Sequence, residues 1–349
     1  MVKTTHFILI LALVSLISCQ NQSHQSIQGS GGGGSKRFLP NVTGKSGDIL
    51  VVTTKERWNG EVGQAFRDIF EQGLYGLPQP ESIFDLSFMP VTAFKDLVKS
   101  SRNIIVVRIN SEYQKPELTV KRDEWAKPQI VVEMKAGSEK ALVGALKEQE
   151  EKIINIFNQA ERNRLMNYYK SYEETAVRKK LVEKHGLGMY FPKGYVIKEN
   201  KNNFIWITHE TPKTSQGVII YHYDYTNPNT FSKDFLLNKR DRILKNHVPG
   251  PKHGTYMTTE YRYEPKFEEI TYKGRYFAHI KGLWRVEGYF MGGPFISYTT
   301  LDEANNRVVT VEGYVYAPRN NKREMLRQLK AIIFTLYFKD DSEGEAMKK

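Results

Sequence analysis

The sequence predicts an α+β protein with an N-terminal α/β layer, a long helical connector and a C-terminal bent antiparallel sheet with flanking helices. Short β-branched runs alternate with helical patterns up to residue 137, and a helical pattern then continues over residues 138–184. Six strand patterns follow one another between residues 256 and 316. Of the chain's 349 residues, 26% are charged, a share typical of folded proteins, so wholesale disorder is excluded. The single cysteine excludes a disulfide framework.

The chain begins with a predicted signal peptide, residues 1–18. Its apolar run, residues 7–17, is too short to span a bilayer as a stable helix and ends in Leu16-Ile17-Ser18-Cys19. This ending resembles the bacterial lipobox, which implies cleavage before Cys19 and acylation of that cysteine with chains such as palmitate. The alternative is an ordinary secretory signal with a chance cysteine. Lipidation predicts a membrane-attached protein of the cell envelope.

Residues 19–37 predict a flexible Gly/Ser tether with an r.m.s. span of roughly 23 Å. No acidic residue lies between Cys19 and Asp48. Surface-exported lipoproteins of Bacteroidota tend to carry acidic residues after the cysteine, so their absence favours the periplasmic face of the outer membrane. Loss of residues 1–18 lowers the formal charge from +12 to +11. An exported protein seldom meets nucleic acid, so envelope anions or an acidic protein are the expected partners; solubility alone is the simpler explanation.

The predicted N-terminal α/β domain covers residues 38–137. Buried-type strands are expected at 48–53, 83–89, 103–109 and 129–134, with an extended piece at 118–122. Apolar residues at helical spacing predict a helix over 61–71, and a short helix is expected over 91–99. The connector, residues 138–186, starts at the N-cap Ser138 and ends at Gly186. It is either one helix or two joined near 160–163.

The predicted C-terminal α+β domain covers residues 187–338. A hairpin around 200–203 and a strand over 218–225 come first, and the six successive strands follow a helix over 230–244. An amphipathic helix over 322–336 closes the domain, and residues 339–349 form a polar tail.

Five segments resemble a Bacteroidota lipoprotein family catalogued as a domain of unknown function. They are residues 39–48, 206–212 (WITHETP), 248–251 (VPGP), 288–295 (GYFMGGPF) and 311–318 (VEGYVYAP). The resemblance supports the envelope assignment and implies no activity. The C-terminal domain also resembles the PsbP-like fold in element order, and a fold alone does not carry function.

The residues that chemistry would need do not occur in the required patterns. Gly44-Lys45-Ser46 lacks the first P-loop glycine, because residue 39 is leucine. His247 and His253 flank a stiff loop but have no nearby acidic residue to complete a metal site. No Gly-x-Ser-x-Gly elbow is present. We therefore predict no catalytic residues, no metal site and no cofactor.

Aromatic residues suggest a binding surface instead. Residues 187–300 hold 22 of the chain's 42 aromatic residues, most of which are expected to stabilise the sheet. The glycine-rich segment 282–295 implies either close approach of its backbone to a ligand or a β-bulge. The candidate binding residues are Trp284, Arg285, Tyr289, Met291, Tyr256 and His253.

The sequence predicts a non-enzymatic outer-membrane lipoprotein that acts as an accessory subunit or scaffold of an envelope protein assembly. The connector and the C-terminal domain are the expected contacts. The second hypothesis is a module that binds a glycan such as peptidoglycan. The third is an envelope hydrolase that uses His209, His247 or His253.

Overall fold

The N-terminal part is a five-stranded sheet, seen in a computed structural model that describes residues 38–341. The predictions for residues 1–18, Cys19, the tether to residue 37 and the tail beyond 341 lie outside this range. The strand order is β2-β1-β3-β5-β4; only β4 is antiparallel to its neighbour. The strands are β1 (Asp48–Thr53), β2 (Asp85–Pro90), β3 (Asn103–Ile109), β4 (Glu117–Arg122) and β5 (Ile130–Ala136).

Helices cover one face of this sheet because their apolar residues recur at helical spacing. α1 (Lys55–Asn59) is short, and α2 (Glu61–Phe70) buries Phe66, Ile69 and Phe70 against β1, β3 and β5. The helix expected over residues 91–99 is instead two 3₁₀ turns, Val91–Ala93 and Asp96–Ser100. Val91 and Leu97 stay exposed and only Phe94 and Val98 pack against the sheet, so packing does not stabilise a regular helix.

The connector consists of three helices, α3 (Glu139–Glu148), α4 (Glu150–Ser171) and α5 (Thr175–His185). Ser138 caps α3 as predicted, and Gly186 ends α5 in the left-handed conformation. The predicted join near 160–163 is wrong, because α4 runs through it and buries Ala160 and Glu161. The chain breaks at Gln149 and at 172–174, where Glu173 pairs with Arg178 and bridges to Pro192.

The C-terminal part is an eight-stranded antiparallel sheet in the order β10-β12-β13-β14-β9-β8-β7, with β11 also paired to β12. β6 (Leu187–Gly188) pairs separately with the last strand, β15 (Tyr337–Phe338). The others are β7 (Val196–Asn200), β8 (Phe204–Glu210), β9 (Ser215–Asp224), β10 (Tyr256–Thr259), β11 (Lys266–Tyr272), β12 (Arg275–Glu287), β13 (Tyr289–Asp302) and β14 (Arg307–Tyr316).

Helices cover both faces of this sheet. α7 (Arg323–Ile333) packs on one face with Leu329, Ile332 and Ile333 buried, and α6 (Lys233–His247) packs on the other with Leu236, Leu237 and Leu244 buried. Each face is apolar because alternate side chains of a strand point to opposite sides.

The N-terminal part also caps α7. The Glu81 carboxylate accepts hydrogen bonds from the backbone N–H groups of Lys322 (2.7 Å) and Arg323 (2.9 Å). A carboxylate at this position satisfies donors that a helix leaves unpaired and complements the helix dipole. Residues far apart in sequence thereby close one compact unit, which within the described residues covers 39–341.

The predicted fold class is confirmed: an α/β sheet, helices in the middle, and a curled antiparallel sheet with few helices. The domain boundaries stay predictions. Within residues 38–341, no helix combines the length and apolar character needed to cross a bilayer.

Candidate functional site

A groove of about 360 Å³ lies on the α6 face of the C-terminal sheet, just beyond the end of that helix. The 15 residues of α6 span about 22 Å, whereas the 14 residues of β13 span about 46 Å, so the helix is roughly half as long as the strand. The loop Val248–Pro251 forms one rim of the groove, and the turn between β8 and β9, residues 210–215, forms the other. We call this cavity the aromatic groove; its floor residues are Trp206, Trp284, Met291, Tyr314 and Tyr316.

Two glycines leave space for the largest rings of the floor. In the strand register, Trp284 lies opposite Gly293 and Tyr314 lies opposite Gly217. A Cβ atom on Gly217 would lie 2.1 Å from the Tyr314 ring, and one on Gly293 would lie 2.0 Å from the Val315 carbonyl oxygen. At Gly293 the backbone therefore closely approaches the protein's own Val315 and Trp284, and the approach of this segment to a ligand stays a prediction.

Much of the floor presents apolar ring surface, because both indole N–H groups and the Tyr314 hydroxyl are bonded within the protein. Trp206 Nε1 donates to the Tyr314 hydroxyl at 2.9 Å, and Trp284 Nε1 donates to the Val315 carbonyl at 3.2 Å. Burial raises the pKa of Tyr314, so this phenol stays protonated and neutral. The groove is thus suited to apolar groups, with backbone polar atoms at its rims.

Local hydrogen bonds hold both rims. In one rim, Thr211 and Thr214 exchange backbone and side-chain hydrogen bonds, with their hydroxyl oxygens 2.9 Å apart. In the other rim, the Gly250 N–H donates to the Thr255 carbonyl (2.8 Å) and the Met257 N–H to the Val248 carbonyl (3.0 Å). A rim that is ordered before binding loses less conformational entropy when a ligand arrives.

A pair of exposed aromatic residues borders the groove at the turn between β12 and β13. Gly288 takes a positive φ of 78° there, and the register shifts between Arg285 and Val286. The β-bulge predicted for segment 282–295 is therefore present. Phe290 is fully exposed and Tyr289 is 40% exposed, with the Lys252 amine 5.4 Å from the Tyr289 ring centre. We call Tyr289 and Phe290 the hairpin tip.

An ion pair beneath α6 positions the groove. The Arg240 guanidinium donates twice to the Glu312 carboxylate, at 2.7 Å each, and once to the Thr259 hydroxyl at 2.8 Å. Arg240 and Glu312 are buried, and the guanidinium carbon lies 3.8 Å from the centre of the Phe295 ring. Burial opposes both charges and raises the pKa of Glu312, whereas the carboxylate raises the pKa of Arg240, so the guanidinium stays charged and is what favours the ionised form of Glu312.

The structure separates the six predicted binding residues. Trp284 and Met291 line the aromatic groove, and Tyr289 belongs to the hairpin tip. Arg285 points away from Trp284, because the two are neighbours on a strand, and it pairs with Glu287 at 2.5 Å. Tyr256 lies under the Lys245 amine (5.1 Å from its ring centre), and His253 is exposed on the loop after the rim.

Sequence reasoning did not select Trp206, Tyr314 or Tyr316 as site residues. They nevertheless belong to segments that carry the family resemblance, and all four C-terminal segments of that set contribute to the groove: 206–212, 248–251, 288–295 and 311–318. For Tyr314 a signal exists in its glycine partner Gly217 on the neighbouring strand, whereas Trp206 and Tyr316 have no such partner.

The histidines lie elsewhere. His247 stacks on Phe204 with ring centres 4.1 Å apart, and its Nδ1 lies 3.0 Å from Glu199. His209 stacks on Tyr195 with ring centres 5.4 Å apart. Neither histidine lines the aromatic groove or the larger cavity described below. In residues 38–341, no cluster of three His, Cys, Asp or Glu side chains is arranged to hold a metal ion.

A larger cavity of about 600 Å³ lies at the opposite end of the same strands. Aromatic residues such as Tyr272, Tyr276 and Phe231 alternate in its lining with charged groups. Arg275 pairs with Asp341 at 2.6 Å and donates to the Leu301 carbonyl at 3.2 Å, which ties the end of the described chain to this cavity.

Comparisons with known proteins give two family matches, both to domains of unknown function. Residues 42–170 match DUF8532 and residues 174–335 match DUF4837. The two matches adjoin between α4 and α5. The prediction of a family without assigned function is confirmed at this level. No curated protein matches the chain.

Similar solved structures are distant. The Ran-binding protein Mog1p of Saccharomyces cerevisiae is 8% identical with a TM-score of 0.32, over 44% of this chain and 91% of its own. Cyanobacterial PsbP from Synechocystis sp. PCC 6803 is 11% identical with a TM-score of 0.32, over 44% and 88%. A structure from Bacteroides thetaiotaomicron is 12% identical with a TM-score of 0.27, over 46% and 47%. Such low scores carry no argument about function.

Proposed function

We propose that this protein is a non-enzymatic, lipid-anchored accessory subunit of an envelope assembly and that its aromatic groove holds an extended, apolar segment of a partner protein. The observation that carries the proposal is a floor of aromatic rings whose indole N–H groups are bonded within the protein; the fully exposed Phe290 is the neighbour in sequence of Met291, which lines the groove. Trp, Tyr and Met are enriched in protein interfaces, and buried aromatic anchors dominate their energetics.

The size and charge of the groove favour a short partner segment with acidic flanks. A volume of about 360 Å³ lies at the small end of the range for ligand pockets, so the groove suits a short segment rather than a folded domain. Lys213 lies on one rim, and Lys252 follows the other, while Glu210 is paired with Lys198 at 3.1 Å. The lysines at the rims favour a partner segment whose apolar residues are flanked by acidic ones.

The membrane attachment rests on the lipobox-like ending at Cys19 and the Gly/Ser tether that follows it. We propose the outer membrane, with the periplasmic face favoured, and a Bacteroidota origin for the family. A tether of this length lets the groove search for a partner held in the same membrane. At the end of α4, Tyr168 and the following Tyr172 are more than half exposed, with ring centres 5.1 Å apart, which supports a second contact on the connector.

A photo-reactive residue tests the groove. Placed at position 291 in the native host, it is expected to cross-link to one envelope protein at a defined peptide. The matched control is position 97, where Leu97 is 82% exposed on the N-terminal part. Equal cross-linking from both positions, or none from 291, would refute the proposed docking site.

The larger cavity supports glycan binding as a second candidate function. Aromatic faces beside charged groups such as Lys273, Asp302 and Glu303 suit the apolar and hydroxyl faces of a sugar. Retention of the protein on purified peptidoglycan sacculi, reduced by Tyr276→Ala, is the expected result. No retention of the unaltered protein would eliminate peptidoglycan as the ligand.

A further inference from the structure

Two cations without a carboxylate partner meet on the α7 face of the C-terminal sheet. The Arg162 guanidinium carbon, from α4, lies 4.5 Å from the ring centre of Phe334 and 5.0 Å from that of Tyr272. The Lys330 amine, from α7, lies 5.8 Å from the same Phe334 ring centre. Among the salt bridges of residues 38–341, none involves Arg162 or Lys330. Both residues are partly exposed.

Two buried donors in this cluster have no hydrogen-bond partner. They are Arg162 Nε and the hydroxyl of Tyr298, within the part of the chain that is described. Tyr298 is 1% exposed, and its ring packs edge-on against Phe334 at 5.2 Å, which places it beside Arg162. An unpartnered buried donor costs about 1–3 kcal/mol, so two in one place need an explanation.

The charged groups around the cluster are mostly cations, and Glu268 is the carboxylate among them. Glu268 is engaged by Lys281 at 2.6 Å. His279 stacks on Tyr298 at 4.1 Å, and its Nδ1 lies 2.9 Å from the Ser297 carbonyl oxygen. Burial and the nearby cations lower the pKa of Lys330 to about 8, and that of His279 to about 3. A water molecule could satisfy a donor here, but only an anion offsets the excess positive charge.

We propose that this cluster binds an oxyanion, either a phosphate group or a carboxylate, through the Arg162 guanidinium, the Lys330 amine and the Tyr298 hydroxyl. Guanidinium binds such groups with two parallel N–H donors, and an ammonium adds a point charge. The cluster lies on the opposite sheet face from the aromatic groove. It is therefore a separate site, and neither the proposed partner nor the proposed anchor is needed for it.

Binding of inorganic phosphate to the full chain tests the site. Isothermal titration at constant ionic strength is expected to show saturable binding that weakens about tenfold in Tyr298→Phe and is lost in Lys330→Met. The control is Lys239→Met, which removes a lysine that forms no salt bridge within residues 38–341. Its amine lies 4.2 Å from the Tyr223 ring centre on the α6 face, so this variant is expected to leave binding unchanged. Phosphate binding that is absent, or is equally strong in Tyr298→Phe and Lys330→Met, would overturn the proposal.

Two further arms keep the test decisive. If Lys330→Met does not fold, the pKa of Lys330 in the unaltered protein, followed by NMR, is expected to rise on phosphate addition; an unchanged pKa would count against the site. Acetate and vesicles of anionic phospholipid are compared with phosphate to distinguish the source. Tighter binding to vesicles identifies a lipid headgroup, and binding of the free ions alone identifies a small solute.

Discussion

The ion pair between Arg240 and Glu312 gives the sharpest prediction about what holds the aromatic groove in place. Arg240→Met removes two charged hydrogen bonds of 2.7 Å and leaves the Glu312 carboxylate, which is fully buried, without its cation. Removing one partner of a buried pair costs about 3–5 kcal/mol, chiefly through the uncompensated charge. We expect Arg240→Met to lower the free energy of unfolding by this amount, as measured by urea denaturation at pH 7.

The double variant Arg240→Met/Glu312→Leu separates the cost of a lone charge from the value of the pair. Because replacing both charges with apolar groups is often nearly neutral, the double variant is expected to recover most of the lost stability. Tryptophan fluorescence, to which Trp206 and Trp284 of the groove contribute, reports whether the groove re-forms, since both rings lie in the same apolar cluster as α6. A loss below 1 kcal/mol for Arg240→Met, or no recovery in the double variant, would refute the reasoning.

Three further predictions concern other parts of the fold. Glu81→Gln weakens two hydrogen bonds at the start of α7 and should cost ~2 kcal/mol of unfolding free energy in urea denaturation; an unchanged midpoint would contradict the capping role. Gly217→Ala should cost about 1–3 kcal/mol and disturb tryptophan fluorescence, because its Cβ would overlap the Tyr314 ring. Gly144→Ala in α3, where a Cβ meets nothing within 4 Å, should instead raise the free energy of unfolding by up to ~1 kcal/mol. Equal changes in stability for Gly217→Ala and Gly144→Ala would contradict the packing argument. Burial lowers the pKa of His279 from 6.5 to about 3, so the unfolded chain binds the proton first as pH falls and stability is lost between about pH 6.5 and 3. Between pH 7 and pH 5 the expected loss of unfolding free energy is ~2 kcal/mol, measured by urea denaturation at each pH. His279→Gln should reduce this dependence of stability on pH.

Local patterns were enough to predict the fold class. The β-branched runs of β1 and β3 were predicted to the residue, because a buried strand needs nothing beyond its own apolar sequence. The breaks in the connector at Gln149 and Tyr172 were missed, because its apolar stripe continues across them. The terminal strand β15 was also missed, since its partner β6 lies far away in sequence.

The candidate site was predicted only in part. Trp284 and Met291 stand in a glycine-rich segment that is unusual by itself, so composition pointed to them. The contribution of Trp206 and Tyr314 depends on the register of β8, β9 and β14, which no single segment specifies. The same holds for Arg162 and the Tyr298 hydroxyl, which are brought together by packing between α4 and the sheet.

The most direct test of the proposed groove is whether a partner stays bound when the protein is solubilised from native membranes in mild detergent. If the groove binds a partner, we expect one stoichiometric envelope protein in the purified sample. We expect that protein to be lost from the sample of the variant Phe290→Ser/Met291→Ser. Phe290 is fully exposed and Met291 lies at the groove, so this variant should fold with nearly unchanged stability. Recovery of the unaltered protein as a free monomer, or a partner that is retained equally by the variant, would contradict the account.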